Sequence, residues 1–132
     1  MNLALFDFDG TITSTDTWTP FMRRAVRPSR LRISRVLMMP LVIGYKLGFV
    51  SASRGREIAV RLAFRGEDAA SVRSCGIQYA TETLPRTVRE SALERIEWHR
   101  SRGDEILIVS AALDVYVKPW AEGFRSSSCP SE

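Results

Sequence analysis

The feature that most constrains this chain lies at its start. An apolar run, Leu3 to Phe6, stops abruptly at Asp7-Phe8-Asp9-Gly10-Thr11-Ile12-Thr13. A short unbroken apolar segment closed by a turn predicts a buried strand, and Gly10 supplies the backbone freedom that a tight exit demands. In parallel α/β folds the loops at the carboxyl ends of strands converge where ligands bind. Residues two apart on an extended backbone point the same way, so Asp7 and Asp9 can present two carboxylates to one spot. Such neighbours repel, and the usual remedies are a shared proton or a divalent cation. With oxygen donors and a phosphate nearby, Mg²⁺ is the natural ion. One carboxylate can then attack phosphorus while the other moves protons. Acids that merely sit in a solvated turn are the plain alternative, since Asp-Gly alone is a common turn signal. An apolar strand running into Asp-x-Asp-Gly-Thr is far more restrictive.

The rest of the chain supplies the context such a strand needs. Thr13 to Asp16 is a polar loop, and from Thr17 to Thr83 the patterns are mainly helical. Val36 to Val50 is apolar enough for a buried helix or one lying on a surface, with Pro40 expected to bend it or end its first part. After Leu84-Pro85 a helix places Val88, Ala92, Leu93 and Ile96 on one face and ends at Arg102-Gly103-Asp104. Glu105 to Val109 then reads as a fully buried strand, and Ser110-Ala111-Ala112 as the turn into another helix. Strand, helical insert, helix, strand, helix is the order of a parallel α/β unit. At 132 residues, the chain has room for one domain, or one small core carrying an insertion.

Charge divides the same way. The formal net charge is +4, yet residues 17–66 carry ten arginines and Lys46 against Glu57 alone, about +10. A basic middle between acidic ends points to an anionic partner. Arg23, Arg24, Arg27, Arg30, Arg32 and Arg35 read either as a solvated helix face, as attraction to acidic lipid headgroups, or as steering of a phosphorylated substrate. No nucleic-acid partner is expected, because neither a binding motif nor an aromatic platform accompanies the arginines. No apolar run reaches the roughly 18 residues of a spanning helix, and the N-terminus lacks a signal-peptide pattern. Cys75 and Cys129 show no metal-type spacing, so a reduced, cytoplasmic setting is expected, with peripheral contact to the inner face of an anionic membrane as an extension of the basic insert.

On Asp7, Asp9, Gly10 and Thr11 the sequence resembles the haloacid dehalogenase superfamily of phosphohydrolases. The resemblance implies a Rossmann-like parallel core with a helical cap inserted after the first strand. It implies that Asp7 is the nucleophile and a Mg²⁺ ligand. Asp9 would be the general acid and base, and would lend its backbone carbonyl to the metal. The family's second motif is a Ser or Thr after the next core strand, a role Ser110 fits. Thr11, Ser110 and the backbone of Ala111 would hold the phosphoryl group, in keeping with the anion affinity of free N–H groups at a helix start. Asp-Phe-Asp-Gly-Thr, the helical cap and Val109-Ser110-Ala111 together resemble the branch containing phosphoserine phosphatase and bacterial phosphatidylglycerophosphate phosphatases. The substrate implied is a phosphorylated small molecule or a phospholipid headgroup.

The expected division is a partial core at 1–14 and 86–124, a cap at 15–85, and a disordered tail at 125–132. The family's later lysine and acidic residue have no counterpart after Ser110. Lys118 stands too close to the second motif, and Asp114 and Glu122 share its helix. The sequence therefore reads as shortened or frame-disrupted, with only two core strands. A catalytically inactive remnant and a basic membrane-surface module stay open beside the phosphatase. His99 is expected to be a surface residue, and Trp18, Trp98 and Trp120 are expected to be core or cap contacts.

Overall fold

The computed structural model describes residues 1–127. Strands β1 (Leu3–Asp7) and β2 (Glu105–Val109) pair in parallel, with Leu3 opposite Glu105 and Asp7 opposite Val109. Parallel strands cannot be joined by a hairpin and need a crossover. Residues 8–104 supply it as helices α1 (Trp18–Ala25), α2 (Pro28–Lys46), α3 (Ala52–Phe64), α4 (Ala69–Gln78) and α5 (Glu90–Ser101). Helix α6 (Asp114–Ser127) follows β2. The class is the expected one: a small parallel sheet with inserted helices, a fragment of a larger type of core.

Side chains alternate across a strand, and here only one side of the sheet is covered. Ala4, Phe6, Ile106 and Ile108 pack toward a core built from Phe8, Ile12, Phe21, Tyr79, Leu84, Ile96, Tyr116 and Trp120. Leu3, Leu5, Leu107 and Val109 point the other way and are 50–61% exposed. β2 is thus not the fully buried strand its unbroken apolar run predicts. Such runs belong to parallel sheets covered on both faces, and among the described residues nothing lies over the second face.

The helices follow from local chemistry. α2 starts with Pro28 in its first turn, where a missing N–H costs nothing. It ends where Gly48 turns left-handed at φ 81°, with the Phe49 N–H on the Gly44 carbonyl at 2.8 Å, a typical C-terminal stop. Pro40 does not end the helix; α2 runs through it, and none of its residues is buried. Of the two settings expected for Val36 to Val50, the structure shows the surface one. α4 meets α6 at Gly76, where a Cβ would overlap the Val115 carbonyl oxygen.

Three further sequence expectations change. His99 is not a lone surface residue: its Nδ1 lies 3.0 Å from Asp104 Oδ2, and its ring meets the Phe6 edge at 5.9 Å. Asp104 also accepts the Asn2 N–H at 3.0 Å. The His99 hydrogen bond, with the Asn2 N–H adding to it, holds the Asp104 carboxyl below the usual 3.8. Arg125 to Ser127, expected to begin an irregular tail, continue α6; the remainder of that expected tail lies outside the described residues. Trp120 is a core residue as expected, whereas Trp98 stands half-exposed between the guanidinium groups of Arg95 and Arg102.

Candidate active site

The chain leaves β1 through a wide loop, Phe8–Ile12, closed by the Thr13 N–H on the Phe8 carbonyl at 3.0 Å. Gly10 takes φ +83°, a region open to glycine but costly for residues with a Cβ. Phe8 and Ile12 are fully buried and fasten both ends of the loop. Asp7, Gly10 and Thr11 remain exposed between these anchors and Asp9 is half-buried. Asp7 Oδ1 accepts the Phe8 N–H at 2.9 Å. Thr13 lies buried beneath the loop, its hydroxyl 2.8 Å from the Thr15 carbonyl and 3.2 Å from that of Phe8.

Asp9 is held by a residue eight positions on. The N–H and hydroxyl of Thr17 both donate to Asp9 Oδ1, at 3.1 and 2.6 Å. Since that hydroxyl proton goes to Asp9, the Tyr116 hydroxyl at 3.1 Å donates to Thr17 Oγ1. Tyr79 Oη donates to the Thr17 carbonyl at 3.0 Å. Phe21, Tyr79 and Tyr116 pack ring on ring beneath, with centroids 4.8–5.3 Å apart. Burial pushes both tyrosine hydroxyls up, Tyr79 to about 12, so both remain protonated donors at neutral pH.

The second loop arrives beside the first because of the strand register. Asp7 lies opposite Val109, so Ser110 leaves the sheet at the same edge. Ser110 Oγ accepts the Ala112 N–H at 2.9 Å, which fixes the turn before α6 and leaves the hydroxyl proton free to donate. Arg56 reaches over from α3 and donates to the Ala111 carbonyl at 3.4 Å. Below it, Asp16 caps α1 through the N–H groups of Trp18 and Thr19 at 3.2 and 3.1 Å. Partial burial pushes the Asp16 carboxyl up, but those hydrogen bonds and the charge of Arg56 outweigh it and hold the group below 3.8.

Asp7 at the end of β1 and Asp9, Thr11, Ser110 and Ala111 on the loops that follow the strands therefore all lie at the carboxyl edge of the sheet. Lys118 pairs with Asp114 one turn away on α6, at 3.1 Å and largely exposed, as a surface lysine would. The Asp7 carboxylate and the Asp9 carbonyl are hard oxygen donors of the kind Mg²⁺ accepts alongside waters and phosphate oxygens. Among the described residues no three His, Cys, Asp or Glu side chains gather tightly enough to hold a metal by themselves. Sequence reading missed Thr17, Tyr116 and Arg56. Thr17 ends a run of polar residues, Thr13-Ser14-Thr15-Asp16, of types that bond to nearby backbone, which was the one available sign. Tyr116 and Arg56 meet the site only through the tertiary fold.

An acid pair leaving one strand, a hydroxyl leaving its parallel neighbour and a helical insertion between them match the pattern of the haloacid dehalogenase-like family. The chain belongs to that family: the model of the haloacid dehalogenase-like hydrolases matches residues 4–129. It is 29% identical over 123 residues to Protein CicA of Caulobacter vibrioides, a match covering 92% of this chain and 54% of that protein. A protein of unknown function from Bordetella pertussis Tohama I has a similar fold, with a TM-score of 0.73, 22% identity and coverage of 94% and 56% of the two chains. A phosphoserine phosphohydrolase-like protein from Francisella tularensis follows at TM-score 0.58, 18% identity and coverage of 95% and 54%. The chain thus spans about half the length of these relatives.

Proposed function

We propose that this chain carries the nucleophile and proton-transfer groups of a phosphomonoester hydrolase. Asp7 attacks phosphorus, the ester P–O bond breaks, and the leaving oxygen takes a proton from Asp9. Asp9 then removes a proton from water, which releases phosphate from the aspartyl-phosphate and restores Asp7. Ser110, Thr11 and the Ala111 backbone hold the phosphoryl oxygens. Mg²⁺, bound by the Asp7 carboxylate and the Asp9 carbonyl, would disperse negative charge on the phosphoryl group. The observation that carries the reading is the placement of Asp7 and Ser110 on adjacent strand ends, with Asp9 fixed by Thr17. Membership of a hydrolase family and the description of the Francisella relative support it.

The test is phosphate release from an aryl phosphate with Mg²⁺ and with chelator, comparing the chain with Asp7→Asn. Release that needs both Mg²⁺ and Asp7 is expected, and a beryllium fluoride adduct seen by ¹⁹F NMR and lost in Asp7→Asn would place the bond on Asp7. A folded chain that binds phosphate without turnover fits the second reading, a non-catalytic remnant. That reading is favoured by the lack of a third metal-binding side chain among the described residues. The exposed apolar and basic surface of α2 supports peripheral contact with an anionic membrane.

A further inference from the structure

A pocket of about 300 Å³ lies between α2 and α3. Val42 and Tyr45 of α2 face Gly55 and Ala59 of α3, Trp18 from the start of α1 adds an aromatic wall, and Arg56 stands at the polar margin. The lining is otherwise almost wholly apolar, and the volume is at the lower bound of small-molecule sites.

Two observations make this more than a gap between helices. Glycine inside a helix is destabilising relative to alanine, yet a Cβ at Gly55 would meet nothing within 4 Å. Packing does not require the glycine; its missing side chain keeps the space open. The pocket also adjoins the catalytic loops at two separate points. Arg56 lines it and donates to the carbonyl of Ala111, the residue after Ser110, while Trp18 directly follows Thr17, which holds Asp9. An apolar hollow thus ends at a guanidinium beside loops suited to a phosphoryl group.

We propose that this pocket takes the hydrocarbon chain of an amphiphilic phosphate monoester, with Arg56 at the junction of chain and head. The proposal rests on the phosphomonoesterase reading and narrows its substrate to esters of long-chain or lipid alcohols.

Tryptophan fluorescence of the chain, titrated with octyl phosphate, ethyl phosphate and 1-octanol, tests it, with Trp18→Phe identifying the reporter. Octyl phosphate is expected to bind at least tenfold tighter than either other ligand. Between four and eight carbons, affinity should rise by up to about fourfold per methylene. Gly55→Leu, which fills the pocket, should weaken octyl phosphate at least tenfold and leave ethyl phosphate unchanged. Arg56→Gln should weaken octyl phosphate toward, but not to, the level of octanol. The three-ligand comparison needs no variant, so it decides the matter even if Gly55→Leu does not fold.

Equal binding of octyl and ethyl phosphate overturns the proposal. So does capture by phosphatidylglycerol vesicles that Gly55→Leu leaves intact while octyl phosphate does not bind, which would assign lipid contact to the outer face of α2. Pocket-dependent binding without phosphate release would sink the catalytic reading and keep the pocket. Hydrolysis indifferent to chain length would do the reverse.

Discussion

The hydroxyl of Thr17 joins the loop after β1 to the aromatic core. It donates to Asp9, accepts from Tyr116, and sits on a carbonyl that accepts from Tyr79. Thr17→Val keeps the shape but leaves the buried Tyr116 hydroxyl without its acceptor, a loss of about 1–3 kcal/mol measurable as a lower urea midpoint. Thr17→Ser should recover most of that stability. If the proposed chemistry holds, Thr17→Val should also lower kcat more than it raises KM, because Asp9 loses its positioning. The tyrosines make a second prediction. The Tyr79 hydroxyl, raised from 10.0 to about 12 by burial, keeps its proton in the folded chain after the unfolded chain has lost it. Its contribution is therefore complete below pH 10 and disappears as the pH climbs toward 12. Urea melts across that window should show stability falling with pH, with a shallower fall in Tyr79→Phe. The placement of Asp7 and Asp9 at the end of β1 was legible in the sequence because it depends on local spacing. The Thr17–Tyr116 bond joins residues 99 positions apart, and no spacing rule reports such a pair.

At the scale of elements, the close approach of α4 and α6 depends on Gly76. Gly76→Ala puts a methyl group into the Val115 carbonyl, and relieving the overlap should cost about 1–3 kcal/mol, read as a lower thermal midpoint in circular dichroism. Because α6 also carries Tyr116, the same variant should loosen the support under Asp9. The order of elements was readable from apolar periodicity, as β1, β2 and the buried face of α5 at Ala92 and Ile96 show. Pro40 and β2 show where such reading stops. A proline marks a lost hydrogen bond and a steric conflict with the preceding turn, but no residue of α2 is buried, so a local adjustment at Pro40 displaces no buried side chain. The apolar run of β2 reports what the strand could bury, and burial itself depends on what lies across from it.

At the scale of the molecule, the asymmetry of charge has a measurable result. The insert of about +10 includes the exposed apolar residues Val36, Met39 and Ile43 of α2. Co-sedimentation with anionic vesicles should exceed that with neutral ones. It should fall sharply between about 0.1 and 1 M salt, as the screening length shrinks from about 10 to about 3 Å. Glu67, close to Arg27 and Arg30 at 3.8 and 3.6 Å, shows that part of the charge is already engaged. The count was legible in the sequence, whereas its engagement required the fold.

The bare side of the sheet has a consequence for how the chain behaves in company. Leu3, Leu5, Leu107 and Val109 form an oily plank, and the outer margins of β1 and β2 offer ladder positions without a neighbouring strand among the described residues. Open margins of this kind recruit other backbones. Concentrated samples should therefore grow stacked, scattering particles, and a lysine placed on the plank, Leu107→Lys, should keep them apart.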